Sequence, residues 1–358
     1  MKTSEKITTA TGVLRRCIGE KGVWADPSRY RWQCWTRDMA LAIMPALIEI
    51  GEAKVVRQHL ENLSLQQRQN GQIPILFLDR TLPFLFEKVT ASLRQRRLSF
   101  MLGRYLRNEL WNLTPGTKDS EILYVVGMHE YANRTGDRTL LERYRLNIEL
   151  AVAYIENGLM DAEGLVFGCD WRDTMERQLG DTPLLTNNCL LYHSYDLMGE
   201  KGKAMDLRDA INNRFWNGVS YLDYPGSDRF DPLGGALAVL YGVSQKGRHE
   251  SLAASFRSVD TPLGVAIKCR HNPVSSEEKA VIERTDGVVV WPFVVGFSVI
   301  ALANMGEREM AEEQFRKLSE LDGFREWYDP ATGKGYGAQE QLWSATLFLR
   351  AARALNKG

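Results

Sequence analysis

The sequence predicts an all-α protein of about twelve helices joined by short loops, arranged as a single domain over residues 1–358. Three observations carry that reading. Apolar residues recur at three- and four-residue spacing in one segment after another, the period of a helix face. Alternation of period two is confined to short candidates near 265–267 and 281–282. The periodic segments are separated by brief Gly-, Pro- and Asp-rich stretches such as Asp223-Tyr224-Pro225-Gly226-Ser227-Asp228, which end helices. A chain of 358 residues exceeds the usual domain size, yet helices in this number can bury one core. A closed ring of helical hairpins is an economical way to do so, although periodicity alone does not show closure.

In chain order, a first amphipathic helix is expected within 6–20, where Ile7, Val13, Leu14, Cys17 and Ile18 share a face. A loop at 22–28 leads to Arg29-Tyr30-Arg31-Trp32-Gln33-Cys34-Trp35-Thr36-Arg37-Asp38, dense in aromatic and guanidinium groups. That stretch enters an apolar helix from Met39 to near Gly51, followed by a helix over 52–69 that ends at Asn70-Gly71. Residues 79–110 hold Pro83, several aromatics and Arg94, Arg96, Arg97, Arg104 and Arg107. The Arg cluster suits an anionic partner or, with Leu and Phe interleaved, a solvated or inter-subunit face. The loop at 114–120 supplies an N-cap to the next helix, which stops at Asn133-Arg134-Thr135-Gly136-Asp137. Another helix runs from about 138 to 158. The second half repeats the style, with helices at 184–198, 202–215, 233–241, 247–256, 286–304, 306–319 and 340–355.

Composition excludes several functions. Lys plus Arg and Asp plus Glu both number 45, so there is no basic excess to drive nucleic-acid binding. No apolar run of about 18 residues exists to span a membrane, and no apolar stretch follows the first residues as in a signal peptide. The five cysteines, Cys17, Cys34, Cys169, Cys189 and Cys269, are odd in number and lack metal-ligand spacing. A reducing, cytoplasmic setting without disulfides, metal or cofactor is therefore expected. Nine Trp and thirteen Tyr suit stacking on sugars, or simply a large core.

Three loop clusters share one character: Trp32–Asp38, Asp170–Asp173 and Asp322–Asp329, each combining carboxylate, Arg and aromatic beside an apolar helix. Hydrolysis of a glycosidic bond needs two carboxyl groups, one acid and one base or nucleophile. Desolvation against an aromatic raises a carboxyl pKa, and Asp173 near Trp171 and Glu326 beside Trp327 are placed for it. Helix capping and pairing with Arg172 or Arg325 is the alternative account of the same acids. No G-x-S-x-G, P-loop, dinucleotide fingerprint or H-E-x-x-H occurs. The five histidines are scattered, and His193 fits a satisfied helix-face residue better than a pocket group.

The same residues resemble a known clan. Trp35-Thr36-Arg37-Asp38 resembles the W-x-R-D motif of (α/α)6-barrel glycosidases, which include glucoamylases, neutral invertases and the amylo-1,6-glucosidase part of glycogen debranching enzymes. Trp171-Arg172-Asp173-Thr174-Met175 looks like the W-x-D segment that carries the acid in debranching-type enzymes. Glu326-Trp327-Tyr328-Asp329-Pro330-Ala331-Thr332-Gly333, followed by Gln341-Leu342-Trp343-Ser344-Ala345, is similar to the closing E-x-x-D-P-x-T-G…W-[ST]-A of the processing α-glucosidase and mannosylglycerate hydrolase group, whose Glu is the base. Asp231-Pro232-Leu233-Gly234-Gly235 and Trp291-Pro292-Phe293 match further passages, so the motifs span roughly 30 to 350 in the clan's order.

The resemblance implies an (α/α)6 barrel and metal-free inverting hydrolysis of an α-linked glucosyl or related small saccharide or glycoside. It makes Asp173 the acid and Glu326 the base. The substrate-binding candidates are Tyr30, Trp35, Arg37, Asp38, Asp119, Asp170, Trp171, Arg172, Trp291 and Trp343, with Asp170 a hydroxyl ligand and the reserve acid. A homo-oligomer is compatible with the sequence. Three alternatives stay open: an unsaturated-uronide hydrolase using Asp without a partnering Glu, a sugar 2-epimerase using two histidines, and a carbohydrate-binding barrel without turnover.

Overall fold

Burial sorts the helices into two alternating sets. In chain order they are α1 (Thr3–Arg16), α2 (36–49), α3 (Ala53–Leu65), α4 (Ser120–Thr135), α5 (Arg145–Gly158), α6 (Leu185–Met198), α7 (Lys201–Arg214), α8 (Pro232–Leu240), α9 (His249–Ser258), α10 (Pro292–Met305), α11 (Arg308–Glu320) and α12 (Leu342–Ala354). Even-numbered helices are buried nearly all round, as in the unbroken run Pro292–Val299 of α10. Odd-numbered ones bury a single stripe, such as Lys6, Ala10, Val13 and Leu14 of α1. Each even helix packs on the next, and α12 packs back on α2, so the inner ring closes. The odd helices lie outside it, with α1 on α12, α7 on α6 and α11 on α10. This is the (α/α)6 barrel expected from the sequence. The computed structural model describes residues 3–94, 103, 105, 109–111, 117–172, 180–269 and 275–356.

Local chemistry explains two irregularities of the ring. Within α2 a π-helical turn, Met39–Ile43, precedes Pro45. Proline has no N–H to donate, and the wider turn absorbs that missing bond without ending the helix. The ammonium of Lys6, buried on α1, donates to the carbonyls of Leu318, Ser319 and Leu321 at 3.2, 3.0 and 2.6 Å. It therefore caps the C-terminus of α11 and ties the first outer helix to the last.

Among the described residues the strands are short antiparallel pairs in the loops: Gln33–Trp35 with Leu76–Leu78, Asp260–Thr261 with Gly264–Val265, Ile267–Lys268 with Val288–Val289, and Trp327–Tyr328 with Gly335–Tyr336. The candidate at 265–267 is thus extended, but 281–282 is not. Val281 and Ile282 are the buried face of a helix, Ser276–Arg284, whose start is fixed by the Ser275 hydroxyl accepting the Glu278 N–H. A two-residue apolar run cannot distinguish these states, and the cap decides. The helix expected to begin at 286 begins instead at Pro292, because Val288 and Val289 pair as a strand first. Residues 81–94, unassigned from sequence, form a further helix exposing Leu82 and Phe86. No described helix is long and apolar enough to cross a membrane. Of the Arg cluster, Arg96, Arg97, Arg104 and Arg107 lie outside the described residues.

Candidate active site

Side chains join the entrances of α2 and α4, and those of α10 and α12. Arg37, Asp119, Asp231, Trp291 and Trp343 stand at the N-cap or in the first turn of inner helices, while Asp170–Arg172 and Glu326 lie in the loops upstream of α6 and α12. Arg37, in the first turn of α2, donates through Nε to Asp119 Oδ2 at 2.5 Å and through Nη2 to Oδ1 at 3.3 Å. Its Nη1 reaches the carbonyl of Trp171 at 3.1 Å, so one buried guanidinium joins the entrance of α2, the entrance of α4 and the central loop. Asp119 stands at the N-cap of α4 but makes no cap bond there, its carboxylate being taken up by Arg37.

The central loop is framed in the same manner. Asp170 accepts from Arg172 Nε at 2.9 Å, Arg172 Nη2 at 2.7 Å and the Arg172 N–H at 3.1 Å. Arg172 also lies 3.7 Å from Asp231 and 3.9 Å from Asp223. Asp231 in turn caps α8 through the Leu233 and Gly234 N–H groups. Removing one partner of so buried a pair costs about 3–5 kcal/mol. Asp170 and Arg172 are accordingly the frame that sets the direction of the loop. Asp173 lies outside the described residues.

Beside that frame, Trp171 packs edge-on against Trp291, Phe293 and Trp343, with centroids 5.3, 4.7 and 6.2 Å away. Phe293 stacks on Trp343 at 4.1 Å. Sequence positions 171, 291 and 343 thus meet in one aromatic floor, at the entrances of α10 and α12 and in the central loop. The Trp171 indole N–H is buried with no partner among the described residues, so a hydroxyl reaching it would complete it.

Glu326 is built into the edge of this floor. The strand Trp327–Tyr328 exchanges backbone bonds with Val290, which places Glu326 next to the Trp291 segment. Its Oε1 accepts from the Tyr30 hydroxyl at 3.0 Å and its Oε2 from the Ala338 N–H at 2.8 Å, with Arg29 Nη1 3.7 Å from Oε2. Burial pushes the Glu326 carboxyl above the ordinary range, while Arg29, the Ala338 N–H and the Tyr30 hydroxyl pull the other way. Burial and the neighbouring carboxylate keep Tyr30 protonated, so it serves as a donor. Tyr30 meets Trp35 edge-on at 6.1 Å, and the buried Asp38 acts on it electrostatically.

Gly337 is pressed against this carboxylate. Its φ is +73°, and a Cβ there would lie 2.5 Å from Glu326 Cβ and in overlap with Oε2. If Glu326 is the reacting carboxylate, Gly337→Ala is expected to lower kcat at least tenfold with a smaller change in KM, since a misplacement of about 1 Å costs on the order of a hundredfold. Steady-state kinetics of the folded variant check this, and an unchanged kcat removes the positional requirement on Glu326.

Sequence reasoning missed two members. Arg29 bridges Glu326 and Glu278, lying 3.2 Å from Glu278 Oε1. Glu278 sits on the helix that pattern reading took for a strand, so the one signal that could have found it, Ser275 three residues before Glu278 as a helix cap, was passed over. His193, by contrast, is satisfied on α6, bonded to Glu130 at 3.0 Å and stacked on Tyr241 at 3.9 Å.

Residues 289–344 match the family model described as the mannosylglycerate hydrolase MGH1-like glycoside hydrolase domain. The match contains Trp291, Glu326 and Trp343. The chain is built as a glycoside hydrolase. Solved glycosidases share the architecture of this hydrolase. One glycosidase structure superposes with a TM-score of 0.69 at 15% identity, covering 99% of this chain and 97% of that one. A GH63 mannosylglycerate hydrolase from Thermus thermophilus in complex with glucose gives a TM-score of 0.66 at 16% identity, covering 98% and 99%. Among curated proteins, none matches the hydrolase in sequence.

Proposed function

We propose that the chain hydrolyses a small α-linked glucosyl or related glycoside with inversion, Glu326 activating water and Asp173 protonating the leaving oxygen. The observation that carries this is Glu326 itself, a carboxylate withdrawn from solvent, held by two donors and a guanidinium, at the edge of a floor of tryptophans. An aromatic floor suits the apolar face of a pyranose. Asp173 follows Trp171 by two residues in sequence, and Trp171 itself belongs to this floor with its carbonyl bonded by Arg37, which supports the pairing with Glu326. Tyr30 bonds Glu326, and Trp35 and Asp38 stand beside Tyr30, where the three suit the hydroxyls of the sugar being cleaved. Glucose in the related barrels supports a glucosyl unit there. His193, bonded to Glu130 and stacked on Tyr241, speaks against histidine acid–base chemistry.

The mechanism predicts the product. Water delivered by Glu326 from the face opposite the leaving group gives the β-anomer first from an α-glycoside. Proton NMR of the anomeric signals in the first minutes of hydrolysis checks this, using a panel of α-glucosides, α-mannosides and their glycerate conjugates. Initial α-anomer rejects the mechanism, and sugar binding without turnover across the panel rejects the activity.

A further inference from the structure

We infer that Glu278 is a positioning residue for Glu326: it shares the Arg29 guanidinium with the candidate base and so sets the pH at which that base gives up its proton. Arg29 Nη1 lies 3.2 Å from Glu278 Oε1 and 3.7 Å from Glu326 Oε2, and the three side chains are 22%, 7% and 9% exposed. A single cation between two buried carboxylates cannot neutralise both. Arg29 is also fixed from behind, because Asp26 Oδ1 accepts the N–H groups of Ser28 and Arg29 at 2.6 and 2.5 Å.

The helix carrying Glu278 is clamped over the hairpin that follows Glu326. At its start Glu277 accepts from Lys334 Nζ at 2.5 Å and the Tyr336 hydroxyl at 3.1 Å. At its end Arg284 Nη2 bonds Asp329 Oδ2 at 2.5 Å. Those partners lie in or next to the strands Trp327–Tyr328 and Gly335–Tyr336, so the Glu278 carboxylate is held at a fixed offset from Glu326. Among the described residues, the groups facing Glu326 are Arg29 and Tyr30 from the loop before Trp32, the Ala338 N–H, and Glu278 from this helix. Asp38 acts on Tyr30 from α2. Glu278 raises the Glu326 carboxyl and Arg29 lowers it, in keeping with the shared cation.

The catalytic consequence rests on Glu326 being the base, but the coupling can be read without turnover. With glutamate carboxyls labelled by 13C, the resonance missing from Glu326→Gln identifies Glu326, and its titration gives the midpoint. Glu278→Gln is expected to lower that midpoint by about 0.5–1 pH unit, since Arg29 then serves Glu326 alone. Glu278→Asp should restore most of it. Glu277→Gln loosens the same helix without a charge facing Glu326 and should leave the midpoint in place. An unmoved or raised midpoint in Glu278→Gln overturns the inference, as does an equal shift in Glu277→Gln. Undiminished turnover by Glu326→Gln sinks the assignment of the base instead, and leaves the coupling standing.

Discussion

Glu326→Gln is expected to lower kcat by about a thousandfold, with KM changed little, in line with the two to four orders of magnitude that a positioned acid or base contributes. Glutamine matches the carboxylate in shape and can still accept from Tyr30 or from the Ala338 N–H, so the loop should persist. What it cannot do is take a proton from water. The wild-type pH profile should carry the signature of the same group. Below its midpoint Glu326 is protonated and cannot act as base, so kcat/KM falls as pH falls through that value. Because burial raises this carboxyl, the acid limb is expected above the usual glutamate range. The residual rate of the variant should lack that limb. Full activity in Glu326→Gln favours instead a barrel hydrolase working with Asp alone, as an unsaturated-uronide hydrolase does.

The helices were legible in the sequence because their burial is periodic. The even-numbered helices read as apolar runs such as Pro232–Leu240, the odd-numbered ones as stripes. Ring closure was not legible, since it is a contact between α2 and α12 about 300 residues apart, and no local pattern encodes it. The site divides in the same way. Trp, Arg and carboxylate concentrated in a few loops marked segments that the fold brings together, and Trp171, Trp291 and Trp343 do meet. Composition could not tell a framing pair from a sugar contact. Arg37 with Asp119 and Arg172 with Asp170 look the same in sequence as groups that bind hydroxyls, and only their mutual distances show them occupied by each other. Glu278 was invisible for a further reason: its relation to the site runs through Arg29, 249 residues away.

Asp173→Asn should separate the two carboxyl roles through the leaving group. If Asp173 donates the proton to the departing oxygen, its loss is felt in proportion to how much that oxygen needs one. For a natural alkyl or sugar leaving group, whose alkoxide is a strong base, kcat/KM is expected to fall about a thousandfold or more. For an activated p-nitrophenyl glycoside or glycosyl fluoride, whose leaving group departs as a stable anion, the loss should be about tenfold or less. The arm of the pH profile that falls at high pH should vanish in the same variant, because it reports deprotonation of the acid. Glu326→Gln must behave in the opposite way, losing rate on good and poor leaving groups alike, since water needs a base in either case. Equal losses in Asp173→Asn across the series assign Asp173 to binding rather than proton transfer. They would not transfer the role to Asp170, whose two oxygens are engaged by Arg172 at 2.9 and 2.7 Å. A carboxylate so engaged would have to break a buried ion pair before it could carry a proton to the glycosidic oxygen, at a cost of about 3–5 kcal/mol set against the barrier it is meant to lower.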